Sequence, residues 1–192
     1  MDIPWFGEAG FSPVSPSESN VEFQNTIKPE QFTQNRHLLN GSGVALGDVN
    51  GDNLVDIYFC RLDGPNALYL NRGEFEFEEM AATAGVACID QFSSGAVLAD
   101  VDGDADLDLL VATMGGPNYL FLNDGKGIFS DATRTSGLKS GYGSSSMALA
   151  DIDKDGDLDL YTANYKLKTV KDKYTPEQIA FNRVVRKTGD RY

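Results

Sequence analysis

Short runs of apolar, β-branched and aromatic residues recur through the middle of this chain, separated by turns rich in Gly, Asn and Asp. They read as β-strands, because such side chains suit a pleated, half-buried backbone while Gly, Asn and Asp accept the conformations of tight turns. One stretch predicts four strands, at 96 to 101, 107 to 113, 118 to 123 and 128 to 132, with Asn123-Asp124-Gly125-Lys126-Gly127 turning between the last two. The runs Asp56-Ile57-Tyr58-Phe59, Leu107-Asp108-Leu109-Leu110-Val111 and Leu158-Asp159-Leu160-Tyr161-Thr162 lack clean alternation, which marks strands covered on both faces. The helical pattern lies near the C-terminal end. Thr175 caps it, Pro176 opens it, Gln178 reciprocates, and Tyr174 and Ile179 form a staple. Ala180, Phe181, Val184 and Val185 then make an apolar stripe, with Arg183, Arg186 and Lys187 towards the C-terminal end of the dipole.

The strands belong to a repeat. Asp48 recurs at Asp100 and Asp151, a period of 52 and then 51 residues. Asn66-Ala67-Leu68-Tyr69-Leu70-Asn71 returns as Asn118-Tyr119-Leu120-Phe121-Leu122-Asn123, and Gly43 returns as Gly95 and then as serine. Four short strands in a unit of about 40 to 50 residues are the mark of a propeller blade. The expected fold is all-β, a partial β-propeller of about three blades with a short C-terminal helical insertion. Its expected parts are an N-terminal extension over 1–19, blade 1 over 20–81, blade 2 over 82–133, an incomplete blade 3 over 134–165 and a basic helical insertion over 166–192. Propellers close with roughly four to eight blades, so the chain is expected to be an N-terminal fragment whose last blade edge awaits a missing C-terminal half.

Each unit carries one aspartate-rich nonapeptide: Asp48-Val49-Asn50-Gly51-Asp52-Asn53-Leu54-Val55-Asp56, Asp100-Val101-Asp102-Gly103-Asp104-Ala105-Asp106-Leu107-Asp108, and Asp151-Ile152-Asp153-Lys154-Asp155-Gly156-Asp157-Leu158-Asp159. Carboxylates this dense repel one another, at about 4 kcal/mol per pair 4 Å apart in a partly protein-like medium. A hard divalent cation with about six to eight oxygen ligands answers that repulsion, and calcium tolerates irregular loops better than magnesium. Positions 1, 3, 5 and 9 carry oxygen-bearing side chains in every copy. Position 7 is Leu54, Asp106 or Asp157, so a backbone carbonyl is the shared ligand expected there. An EF-hand is excluded, because the twelfth residues are Phe59, Val111 and Thr162 rather than glutamate, and strands flank the loops. The competing view is of solvated Asp/Gly turns that hold no ion.

The segments "GVALGDVNGDNLVDIYF" and "PNALYLNRGEFEFEEMAATAGV", repeated as "GAVLADVDGDADLDLLV" and "PNYLFLNDGKGIFSDATRTSGL", resemble the FG-GAP or VCBS repeats of integrin-type β-propellers. The chain is similar in particular to the ASPIC/UnbV, or cartilage acidic protein-like, group, from about Asn20 to the C-terminus. It departs from the integrin form in lacking literal Phe-Gly and Gly-Ala-Pro tripeptides. The resemblance implies calcium at up to three sites, held by Asp48, Asn50, Asp52 and Asp56, by Asp100, Asp102, Asp104 and Asp108, and by Asp151, Asp153, Asp155 and Asp159. It also implies an extracellular or periplasmic home. No signal peptide is visible, since Met1-Asp2-Ile3-Pro4 lacks basic and hydrophobic regions.

Net charge is −13, and thirteen aspartates lie in the three loops; three calcium ions would bring the formal charge to −7. Such a surface disfavours nucleic acid and anionic membranes, and no apolar stretch reaches the roughly eighteen residues of a membrane span. Cys60 and Cys88 are compatible with a disulfide between adjacent blades in an oxidising compartment, as pairs in the resembled group are, and equally with two buried thiols. Asn40-Gly41-Ser42 is a formal glycosylation sequon. Because the acidic loops repeat, whereas an active site is usually built once, the expected function is a binding, adhesion or scaffold module meeting a protein or glycan on a propeller face. The alternative is the propeller portion of a calcium-dependent enzyme acting on polysaccharides. Its chemistry would fall to the single histidine, His37, or to Arg61, Tyr58 or Lys166, since no G-x-S-x-G, H-E-x-x-H or Gly-rich phosphate loop is present.

Overall fold

The structure, a computed structural model, describes residues 11–29, 31, 36–138 and 143–165. The C-terminal helix expected around Thr175 to Lys187, and Lys166, lie outside the described residues. Short helices come first: α1 (Pro16–Ser19), whose Glu18 carboxylate receives the backbone N–H of Ser15 at 2.8 Å, and a 3-10 turn (Arg36–Asn40). The first sheet then pairs β1 (Val44–Gly47), β2 (Asp56–Phe59), β3 (Ala67–Asn71) and β4 (Phe77–Glu79) in sequence order, every pair antiparallel. After α2 (Ala81–Ala84) the second sheet repeats the meander with β5 (Ser93–Ala99), β6 (Asp108–Thr113), β7 (Tyr119–Asn123) and β8 (Phe129–Asp131). β9 (Gly143–Ala150) and β10 (Asp159–Tyr165) form a two-stranded third sheet among the described residues. The fold is all-β, a partial propeller.

Strand β5 starts earlier than the hydrophobic pattern suggests. Ser93 and Ser94 look like turn residues, yet both are buried at a bulge, where each hydroxyl has a partner from a neighbouring sheet or strand. Ser94 Oγ shares its one hydrogen between Ser144 O at 2.5 Å and Ala112 O at 3.1 Å, while Ser93 Oγ accepts from Asn66 Nδ2 at 2.9 Å. Polar residues enter this core because each hydrogen-bonding group is satisfied there.

The sheets stack face to face. Tyr58, Cys60, Leu68 and Leu70 of the first sheet pack with Leu109, Val111, Phe121 and Phe129 of the second. Leu110 and Ala112, on the other face of β6, pack with Met147, Leu149 and Leu160 of the third. Every residue of β6 is buried, as its unalternating pattern predicts. The same register position shows what stacking does: Tyr58 is 0 % exposed and Leu110 3 %, whereas Tyr161, on the far face of the third sheet, is 69 % exposed. The backbone just before β1 comes close to β5 at glycine, since a Cβ on Gly43 would stand 2.7 Å from Gly95 Cα. On the outer face of the first sheet, Val21 and Phe23 of the N-terminal segment cover Ala67, Tyr69 and Phe77. Phe23 stacks on Phe59 at 4.6 Å between ring centroids, and the Arg61 guanidinium sits 4.8 Å from the Phe23 centroid.

Two buried asparagines stitch each sheet to the next. Asn66 Oδ1 accepts Arg61 N–H at 2.8 Å, and its Nδ2 donates to Tyr58 Oη and to Ser93 Oγ of the second sheet. Asn118 does the same one repeat later, accepting Thr113 N–H at 3.1 Å and donating to Ser144 Oγ at 2.9 Å. Beside this stitch lie Cys60 and Cys88, which are free thiols in the structure. Burial pushes both thiols up, Cys60 further because it is the more deeply buried and has Cys88 beside it, and Cys88 to about 11. Since the thiolate is the reactive form, native labelling by a disulfide reagent near pH 8 should run on the order of a hundredfold slower than for an ordinary cysteine. Both thiols should react at once in denaturant; stoichiometric labelling of the folded chain within seconds would contradict this burial.

Candidate metal centre

Each acidic nonapeptide joins the first two strands of its sheet, so strand pairing fixes both ends of the loop. Between them the chain must turn twice. Positions 4 and 6 are left-handed in all three copies: Gly51 and Asn53, Gly103 and Ala105, Lys154 and Gly156. Glycine fills only some of these positions because that backbone favours it without requiring it.

The ninth position closes the loop. Asp56 and Asp108 are completely buried. Asp56 Oδ2 accepts Val49 N–H at 2.9 Å and its Oδ1 accepts Asn71 N–H at 2.8 Å. Asp108 accepts Val101 N–H at 3.0 Å and Asn123 N–H at 2.9 Å in the same way, and Asp159 accepts Ile152 N–H at 3.0 Å. A carboxylate has about four acceptor sites, so this clamp leaves capacity for a further partner. Position 1 gathers the loop backbone: Asp48 accepts the amides of Asn50, Gly51, Asp52 and Asn53, Asp100 those of Gly103 and Ala105, and Asp151 that of Gly156. Burial alone would raise the Asp48 carboxyl, but these four N–H groups outweigh it and hold it below the ordinary carboxylate range. Position 5 forms a local turn, with Asp52, Asp104 and Asp155 each accepting the amide of position 7.

Positions 1, 3 and 9 converge. Asp100, Asp102 and Asp108 each offer a carboxylate oxygen within 4.8 Å of the others, and Asp151, Asp153 and Asp159 do likewise. Oxygens bound at about 2.3–2.6 Å to one hard cation lie no more than about 5 Å apart, so both triads fit around a single ion. The position-5 carboxylates stand outside these triads. In the first loop the Asn50 amide is taken up by Asp52, its Nδ2 donating to Asp52 Oδ2 at 3.0 Å and its Oδ1 accepting Asp52 N–H at 3.1 Å. The second loop carries uncompensated charge. Burial, helped by Asp104, Asp108 and Asp102, pushes the Asp106 carboxyl up to about 6, and Asp106 Oδ1 is enclosed without a hydrogen-bond partner. Asp102 is raised by desolvation and by Asp108 and Asp104. A donor set of hard oxygens with an enclosed, unpartnered carboxylate oxygen matches a cation of the alkaline-earth type.

The groups considered for lyase chemistry are differently placed. Tyr58 is sealed in the core, its hydroxyl donating to Val86 O at 2.7 Å and its pKa driven well up by burial, so it cannot meet a polysaccharide. Arg61 packs over Phe23 instead of facing an acidic loop. In the sequence Asn71 and Asn123 stand out only as repeat landmarks, although their backbone amides hold the ninth-position carboxylates. The signal was available in the repeated Asn at the end of the third strand of the first two units.

Stacked antiparallel sheets whose first turn is an acidic loop define a repeat protein of the β-propeller class. The chain belongs to the FG-GAP-like repeat family, matching it over residues 48–111 and again over 100–162, so that each match runs from one acidic loop through the strand after the next. It is similar to cartilage acidic protein 1 of Xenopus tropicalis, 32% identical over 128 residues, which cover 65% of this chain and 20% of that protein. Human cartilage acidic protein 1 is 33% identical over 128 residues, covering 65% of this chain and 19% of that one. The chain thus spans about a fifth of the length of these relatives. Among the described residues, no helix is long and apolar enough to cross a membrane.

Proposed function

We propose that the chain is a calcium-binding repeat module in which the acidic loops hold Ca²⁺ as structural ties. In this role it serves as an extracytoplasmic binding or scaffold unit that meets a protein or glycan on a propeller face. The observation that carries the proposal is the convergence of three carboxylates in each of two loops one repeat apart, with Asp106 Oδ1 enclosed and unpartnered in the same loop as one of them. Asp100, Asp102 and Asp108, and Asp151, Asp153 and Asp159, are the ligands assigned; Asp48, Asn50 and Asp56 take the same places once the Asn50 amide turns away from Asp52. Asp52, Asp104, Asp155 and the position-7 groups Leu54, Asp106 and Asp157 complete the shell through side chain, backbone or bound water. The propeller bounds 20–81, 82–133 and 134–165 follow from treating each loop-bearing sheet as one blade. Two relatives named as cartilage acidic proteins support the extracytoplasmic assignment.

Bound ions stabilise the folded chain by mass action, each adding about 2.7 kcal/mol when free calcium is a hundredfold above its dissociation constant. For a chain of this size each filled site should raise the melting temperature by roughly 5–10 °C. Melting in millimolar calcium and in excess chelator tests this directly. Coincident midpoints, with no binding heat on calcium injection, would sink the proposal.

A further inference from the structure

We propose that Asn123 couples the first two acidic loops, so that a cation in the second tightens binding in the first. The inference rests on the cation-binding function proposed above. Asn123 is buried, and its backbone N–H and both ends of its side-chain amide are bonded. Its backbone N–H donates to Asp108 Oδ1, the clamp of the second loop, at 2.9 Å. Its Nδ2 donates to Leu107 O at 3.0 Å and, across the interface between the sheets, to Val49 O of the first loop at 2.8 Å. Its Oδ1 accepts the N–H groups of Asp124 and Gly127, closing the turn that carries it. Val49 is position 2 of the first loop, between the ligands at positions 1 and 3, and its own N–H donates to Asp56. A continuous chain of hydrogen bonds therefore runs from Asp108 through Asn123 and Val49 to Asp56.

The first sheet supplies a comparison. Asn71 holds Asp56 and Val55 O as Asn123 holds Asp108 and Leu107 O, but among the described residues it makes no bond to another acidic loop. The cross-sheet bond is thus an addition to the local clamp. Packing reinforces it, because the turn after Asn123 lies against the first loop: a Cβ on Gly127 would stand 3.6 Å from Asn50 Cβ and 3.7 Å from Val49 Cγ2. When an ion fixes Asp108, Asn123 is fixed with it, and the backbone between positions 1 and 3 of the first loop loses freedom before its own ion arrives. The second binding event then has less left to order, which is positive coupling.

Calcium titrations of the full chain, followed by the amide resonances of Gly51 and Gly103, report the two loops separately. Asp102→Ala removes an exposed ligand of the second loop, and is expected to raise the half-saturating calcium at Gly51 by about fivefold or more. In an Asn123→Ala or Asn123→Asp background, the same substitution should shift Gly51 by about twofold or less, a residue of through-space charge that persists in every background. In an Asn71→Ala background, the full shift should remain. A Gly51 midpoint unmoved by Asp102→Ala in the otherwise native chain overturns the coupling and leaves cation binding standing. A full shift surviving in both Asn123 variants overturns the role of Asn123. Absence of any calcium-dependent change at either glycine overturns the cation-binding proposal itself, so the failures are distinguishable.

Discussion

Replacing Asp108 with alanine should destabilise the chain by about 4 kcal/mol, because two buried backbone amides lose their acceptor and each orphaned amide costs about 1–3 kcal/mol. Val101 and Asn123 are the donors, and Asp108 itself has no exposure. Against a total stability of roughly 5–15 kcal/mol, that loss leaves a marginal fold. Asp108→Asn should fall between wild type and Asp108→Ala, since it keeps one acceptor oxygen and sets an NH₂ group against a backbone donor. The calcium dependence of the loss separates clamp from ligand. In chelator, removing a charge from a loop of five aspartates relieves repulsion and offsets part of the damage; in calcium the offset disappears and a ligand is lost as well. Urea unfolding in both conditions measures this, and a loss below about 1 kcal/mol in each would refute the clamp.

Gly43→Val is expected to cost at least about 3 kcal/mol and to loosen the stack of the first two sheets. The built Cβ meets only backbone: Gly95 Cα at 2.7 Å, Ala96 N at 3.2 Å and Ser94 O at 3.3 Å. A side-chain tip could swing aside, whereas strand β5 is held by its pairing to β6 and cannot. Two neighbours make the comparison sharp. At Gly95 a Cβ would reach nothing closer than Ser145 O at 3.4 Å, so Gly95→Ala should be accommodated. Gly41 has φ +84° and nothing within 4 Å, so Gly41→Ala carries only left-handed strain, about 1–2 kcal/mol. Equal losses at Gly43 and Gly41 in thermal melts would mean that close approach of the backbone at Gly43 to β5 is not what selects glycine.

The strands and their order were legible because the repeat presents each element more than once: a run ambiguous in one unit is resolved by its counterpart in another. Leu109-Leu110-Val111 has no periodicity of its own, but its position after an acidic loop and before an Asn-bounded strand makes it the buried β6. Ser93 and Ser94 were not legible as strand, since their burial depends on acceptors and donors from other sheets that no local pattern reveals. The acidic loops declared their chemistry through composition alone. Their internal division did not: that position 9 clamps, position 1 collects amides and position 5 makes a turn follows from geometry, because all three are aspartate in every copy of the sequence. Asn123 was hidden for a related reason, its decisive partner Val49 being 74 residues away.

The asparagine stitch has a direction, and this bears on synthesis. Asn66 finds its acceptor Ser93 27 residues further along the chain, and Asn118 finds Ser144 26 residues further along. A unit leaving the ribosome therefore lacks the cross-sheet bond of its asparagine until the opening strand of its successor emerges. Folding should proceed vectorially, each unit being sealed by the arrival of the next. A ribosome stalled just before residue 93 should expose a protease-sensitive nascent chain that becomes resistant once that strand has cleared the exit tunnel.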